Sequence, residues 1–138
     1  MNTGSKANFV DGAPAPVVAR VVEQGFEATA IRRGDEISIL LKGEADIRAK
    51  PHLAGFFRAV HGAAALHAGM KVHVDWRALR FMNSSCFQDF VVWLAEIGKI
   101  PGDTGYNVIF LADAKQYWQR RSLHALATFA PDRVVVEA

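Results

Sequence analysis

The sequence predicts an α/β fold: a mixed, mostly parallel sheet of about four to six strands with an N-terminal hairpin and packed helices. Three observations carry this. Apolar and polar residues alternate along two early segments, the apolar period changes to about 3.6 in three later ones, and short β-branched runs separate and follow those three. The order is hairpin, helix, strand, helix, strand, helix, strand, and such alternation calls for parallel strands joined by right-handed crossovers.

Each element has a local cause. Met1 to Pro16 mixes Gly, Ser, Asn, Ala and prolines with few large apolar groups, so a flexible N-terminal tail is expected over 1–16, ahead of one folded domain over 17–138. Val17 to Glu23 is open between two readings: its valines favour a strand, while Val18, Val21 and Val22 also sit at helical spacing between Pro16 and Gly25. Phe26, Ala28 and Ala30 alternate with polar neighbours, as do Ile37, Ile39 and Leu41 beyond Arg33-Gly34-Asp35, which predicts a hairpin with a glycine turn. Gly43 is expected to end the second strand.

After Asp46, a stripe of Ala49, Leu53, Phe56, Phe57, Val60 and Ala64 predicts a first helix running to about His67. Met70 to Trp76 reads as a buried strand and Arg77 to Ser85 as the turn after it. Asn83, Ser84 and Ser85 are N-cap types, and Phe87, Phe90, Val91, Leu94 and Ile97 follow at spacings of three and four, so a second helix starts at the serines. Tyr106 to Leu111 is a further strand, Tyr117 to Ala130 a third helix stopped by Pro131, and Arg133 to Glu137 a last strand.

Composition narrows the function. The 138 residues, 51% hydrophobic and 22% charged, suit one domain with a real core. A net charge of +2 lacks the concentrated basic field of sequence-independent nucleic-acid binding, so no direct nucleic-acid contact is expected. No apolar run approaches the roughly 20 residues of a membrane span, so no membrane insertion is expected. The lone Cys86 has no partner for an internal disulfide, and Met1 is not followed by a signal-type segment; a cytoplasmic setting is the expectation.

Chemistry concentrates where the second helix begins. A strand, a turn, Asn83-Ser84-Ser85 and an amphipathic helix put two hydroxyls at the positive end of a helix dipole, where an anion is welcome. Phosphorylation there would add about −1.5 to −2 charges that the fold tolerates, while a partner docked over the helix end would meet a hydrated dianion. The plainer reading is that Asn83 or Ser84 only caps the helix, worth about 1 kcal/mol.

The stretch Val74-Asp75-Trp76-Arg77-Ala78-Leu79-Arg80-Phe81-Met82-Asn83-Ser84-Ser85-Cys86-Phe87 resembles the signature of STAS domains, the sulfate transporter and anti-sigma factor antagonist family. In that family a buried strand leads to an Asp-Ser-Ser-Gly-Leu type helix start. Leu41-Lys42-Gly43-Glu44-Ala45-Asp46 is similar to the family's Gly-Glu-Leu-Asp segment, and Tyr117 to Leu123 to the third helix of some stand-alone bacterial members. The resemblance covers about Phe26 to Ala138. It implies a non-enzymatic, partner-switching regulator in signal transduction and transcription control. Such a domain binds an anti-sigma factor with serine kinase activity, or a comparable protein, is released when phosphorylated, and is restored by a serine phosphatase. By position Ser85 matches the phosphoacceptor and Ser84 its neighbour, and Asn83, Ser84, Ser85, Cys86 and Phe87 form the partner-binding helix start. Asn83, Cys86 and Phe87 stand where the family has aspartate, glycine and leucine. Those replacements keep a second role open, that of an adaptor subunit of a transporter or other complex without phosphorylation.

Other chemistry is weaker on spacing. An enzyme would use Ser85 or Cys86 as nucleophile with His73 and Asp75, which share one face of a strand, but no Gly-x-Ser-x-Gly elbow is present. His52, His61, His67, His73 and His124 show no i, i+4 pair and have no paired cysteines, so no metal and no cofactor are expected and the histidines read as surface or cap residues. Lys115, Arg120 and Arg121 form a small basic cluster on the third helix, most simply a solvated face. Arg33-Gly34-Asp35 and Asn83-Ser84-Ser85 match an adhesion tripeptide and a glycosylation acceptor, both needing an extracellular chain.

Overall fold

A computed structural model of the chain describes residues 16–138. Residues 1–15 of the expected tail lie outside the described residues. Nine elements follow in order: β1 (Val17–Glu23), β2 (Phe26–Arg33), β3 (Glu36–Ala45), α1 (Lys50–Ala64), β4 (Lys71–Met82), α2 (Ser84–Gly98), β5 (Asn107–Leu111), α3 (Tyr117–Ala127) and β6 (Val134–Glu137). The segment left open by the sequence, Val17 to Glu23, is a strand, because it finds an antiparallel partner in β2, with Val21 opposite Ala28 and Glu23 opposite Phe26.

The six strands lie side by side in chain order. β1, β2 and β3 form an antiparallel meander, and β3 through β6 are parallel. Every crossover therefore steps in the same direction across the sheet, and a constant right-handed sense puts all three helices on one face. The strands show it. Phe26, Ala28, Ala30, Ile37, Ile39, Leu41, Val72, Val74, Val108 and Phe110 are buried under the helices, while the residues between them stay half-buried or exposed. Between α1 and α2, Phe57 stacks on Trp93 at 4.8 Å and meets Phe90 edge-on at 4.6 Å, and Phe90 in turn meets Trp76 at 5.3 Å.

Four boundaries differ by two residues or more from the sequence reading. Strand β4 continues through Met82, so Arg77 to Ser85 is not a turn; Asn83 alone separates strand from helix. The cause is a bulge: β3 and β4 pair from Leu40 and Asp75 straight to Lys42 and Ala78, so Trp76 and Leu79 are both buried and the period-two signal breaks between them. Helix α1 ends at Ala64, with Gly69 at φ +83 closing the loop, and α3 ends at Ala127, both three residues early. Gly43 does not end β3, which runs on to Ala45. Among the described residues no helix is long and apolar enough to cross a membrane.

Gly43 has φ +90 and lies where β2 and β3 converge on the Gln24-Gly25 turn, with Glu44 N–H donating to the Gly25 carbonyl at 2.8 Å. A side chain at position 43 would collide with that same carbonyl oxygen. Gly43→Ala is expected to cost about 3 kcal/mol in urea unfolding, from strain at positive φ plus backbone displacement. Gly62→Ala, in α1 with open space around it, is expected to raise stability by about 0.5–1 kcal/mol in the same assay.

Candidate functional site

Because β3 and β4 are parallel neighbours, their carboxyl ends reach the same rim. There Asn83 N–H donates to the Ala45 carbonyl at 2.9 Å, joining the two segments whose motifs the sequence singled out. The next residues must then leave the sheet. Asn83 sits at φ −78 and ψ 167 as the N-cap of α2, and its Oδ1 accepts from Cys86 N–H at 2.8 Å and from Ser85 Oγ at 3.1 Å. The carbonyl of Asn83 takes Phe87 N–H at 3.1 Å.

Helical geometry then sorts the five candidate residues. Cys86 and Phe90, four apart, turn inward and are buried; Ser84 and Ser85 face solvent; Asn83 and Phe87 are half-buried. Cys86 Sγ lies 3.3 Å from the Asp46 carbonyl, so the residue standing in place of glycine fills space beneath the helix start rather than beside the hydroxyls. Its side chain does not crowd Ser85 from the solvent side. Ile47, on the loop after β3, and Phe81, near the end of β4, are 77% and 48% exposed and add apolar surface to this rim.

Two charged residues complete the site, and sequence reasoning missed both. Lys50, at the start of α1, places Nζ 2.9 Å from the Ser85 carbonyl and 2.9 Å from Asp89 Oδ2. Lys50 thus ties the start of α1 to the backbone of the first turn of α2. Nothing in local spacing signals this contact, since 35 residues separate Lys50 from Ser85.

The nucleophilic constellation is not assembled. Burial pushes the Cys86 thiol up and the Asp89 charge pushes it further, against a smaller opposing pull from Lys50, so little thiolate exists at neutral pH. His73 and Asp75 lie on the helix-free face, and the nine steps of strand from His73 to Met82 span about 30 Å. Burial raises the Asp75 carboxyl, but hydrogen bonds from Arg77 at 2.9 and 3.1 Å outweigh that and hold it below the usual carboxylate range.

The histidines also divide. His52 pairs with Glu23 at 2.8 Å on the surface. His61 departs from the expected surface role, because its Nδ1 shares a hydrogen bond of 2.7 Å with Tyr106 Oη, which also accepts from Trp93 Nε1 at 2.9 Å. Lys115, Arg120 and Arg121 are all exposed.

The cap is testable. Asn83→Ala removes the acceptor for Cys86 N–H and is expected to cost about 1 kcal/mol in urea unfolding. Asn83→Asp keeps the acceptor and adds a charge the dipole favours, so stability is expected to hold or rise by about 0.3–1 kcal/mol. Equal losses from both would place the structural role of Asn83 elsewhere.

No protein-family model matches the chain. No curated protein matches it in sequence. Among solved structures, it is similar to an anti-sigma factor antagonist from Mycobacterium paratuberculosis, with a TM-score of 0.58 and 16% identity over 83% of this chain and 88% of that one. The hairpin, the six strands and the one-sided helices are the fold of an anti-sigma factor antagonist.

Proposed function

We propose that the protein is a non-enzymatic regulator that binds a protein partner over the start of α2 and is switched by phosphorylation of Ser85, with Ser84 the lesser acceptor. The observation that carries this reading is the placement of both serines at a capped, solvent-facing helix N-terminus, with the Lys50 ammonium on the Ser85 carbonyl. The fold shared with an anti-sigma factor antagonist supports the choice of partner class: an anti-sigma factor or comparable serine kinase-like protein, with a serine phosphatase reversing the mark.

The switch follows from local electrostatics. In the free protein, a phosphate on Ser85 gains the helix dipole and Lys50 and loses a little to Asp89 one turn away, so folding stability changes little. In the complex, the same dianion would be stripped of water against the partner's surface. Binding therefore weakens while the domain stays folded.

Ile47 and Phe81 favour a second reading on their own account. Their exposed apolar surface would also suit a permanent contact, as in an adaptor subunit of a transporter or other complex in which Ser85 is never modified.

The two are separated by treating the protein with its cognate serine kinase and ATP, mapping phosphate by mass spectrometry and measuring partner affinity. Switching expects phosphate at Ser85 and at least about tenfold weaker binding, reproduced by Ser85→Asp, whose unfolding free energy stays within about 0.5 kcal/mol of the parent. An unmodified protein held in a stable complex indicates the adaptor. A destabilised Ser85→Asp variant with unchanged affinity counts against switching.

A further inference from the structure

The face of the sheet away from the helices holds a shallow depression of about 640 Å³ lined by Ile31, Leu40, His73, Ile109 and Leu111, with Val17 and Val135 at its two sides 57% and 52% exposed. Strand register arranges this face in rows. One runs Val17, Ile31, Ser38, His73, Ile109, Val135; the next runs Arg20, Thr29, Leu40, Asp75, Leu111, Glu137; beyond the first lie Arg33, Glu36, Lys71 and Asn107.

We propose that this face is covered by a second copy of the same chain, the two sheets packing face to face about a two-fold axis that runs parallel to the strands between β3 and β4. That axis exchanges β3 with β4, β2 with β5 and β1 with β6, and leaves each row facing itself in reverse. Glu36 then meets Lys71 of the second copy, and Arg20 meets Glu137. Ser38 meets His73, Ile31 meets Ile109, and Val17 meets Val135. Opposite charges, polar pairs and apolar pairs coincide at these positions, each occurring twice, while Leu40 meets Asp75 and Thr29 meets Leu111.

Two features single out this pairing. The His73 side chain is 43% exposed, its Nε2 has no hydrogen-bond partner among the described residues and lies 3.4 Å from Glu36 Oε1 without bonding to it, and the pairing sets the Ser38 hydroxyl of the second copy against the exposed part of this imidazole. Asp75 keeps its own Arg77, so a covered carboxylate is not orphaned. A two-fold in the plane but across the strands sets His73 over His73 and puts Leu40 over Glu36, which, unlike Asp75, has no Arg or Lys partner among the described residues. The alternating signs also argue for a copy of this chain over a uniformly charged partner, because a self-complementary face needs both signs.

This arrangement is independent of the Ser85 reading, since it uses the opposite side of the sheet. It is tested by sedimentation at about 100 μM, with circular dichroism to verify folding. The parent chain is expected at twice its 15.1 kDa mass. Glu36→Lys and Lys71→Glu, both at exposed positions, each create two like-charge contacts and are expected to weaken the dimer at least about tenfold. Mixing the two variants rebuilds both ion pairs in trans and is expected to restore the doubled mass. Leu40→Glu, which sets a carboxylate against Asp75 of the second copy, is expected to dissociate the dimer independently. A monomeric parent chain leaves the face to some other macromolecule and overturns the proposal. So do variants that stay dimeric and a mixture that stays monomeric.

Discussion

The hydrogen bond from Asn83 N–H to the Ala45 carbonyl fixes where the exposed chemistry of this chain ends up. It is the last rung between β3 and β4, and it holds the end of β4 beside the loop that follows β3. From that point the helix has one phase open to it. Cys86 and Phe90 must take the core side, so Ser84 and Ser85 are left to solvent. The Asn83 side chain then satisfies one free N–H group of the first turn of α2, that of Cys86, and Cys86 Sγ closes on the Asp46 carbonyl. Backbone pairing and side-chain packing set the same phase, so the direction of the two hydroxyls does not depend on what they bind.

A second constraint lifts that rim clear of the molecule. Strand β5 has five residues and pairs with β4 only from Lys71 to Asp75. The rest of β4 has β3 on one side and, among the described residues, no strand on the other. The fully buried Gln119 of α3 takes over, donating to the Trp76 and Leu79 carbonyls at 2.7 and 2.8 Å while accepting from Asp113 N–H at 2.8 Å. One side-chain amide thus replaces the missing ladder and satisfies polar groups that would otherwise cost about 1–3 kcal/mol each. The strand can outrun its neighbour and carry the start of α2 beyond it.

Much of this was legible in the sequence, and the exceptions have physical causes. The hairpin, the helices and the α/β order follow from periodicity, and burial bears out the stripe from Ala49 to Ala64 residue by residue. The start of α2 was legible because Asn and Ser cap helices wherever they precede an amphipathic run. The first strand stayed ambiguous because an edge strand buries few residues, and only Val21 of the seven in β1 is buried. The far half of β4 was lost to a bulge that puts two non-alternating residues, Trp76 and Leu79, on the same side. Lys50, Asp89 and Gln119 act across 35 or more residues of sequence, and no local pattern encodes such contacts.

The most direct measurement is an amide NMR spectrum of protein carrying phosphoserine at position 85, compared with the unmodified chain. The account expects shifts confined to the first turn of α2 and to residues 45–50, with a melting temperature within about 3 °C of the parent. Shifts spread through the buried strands, or a domain that loosens on phosphorylation, would contradict it.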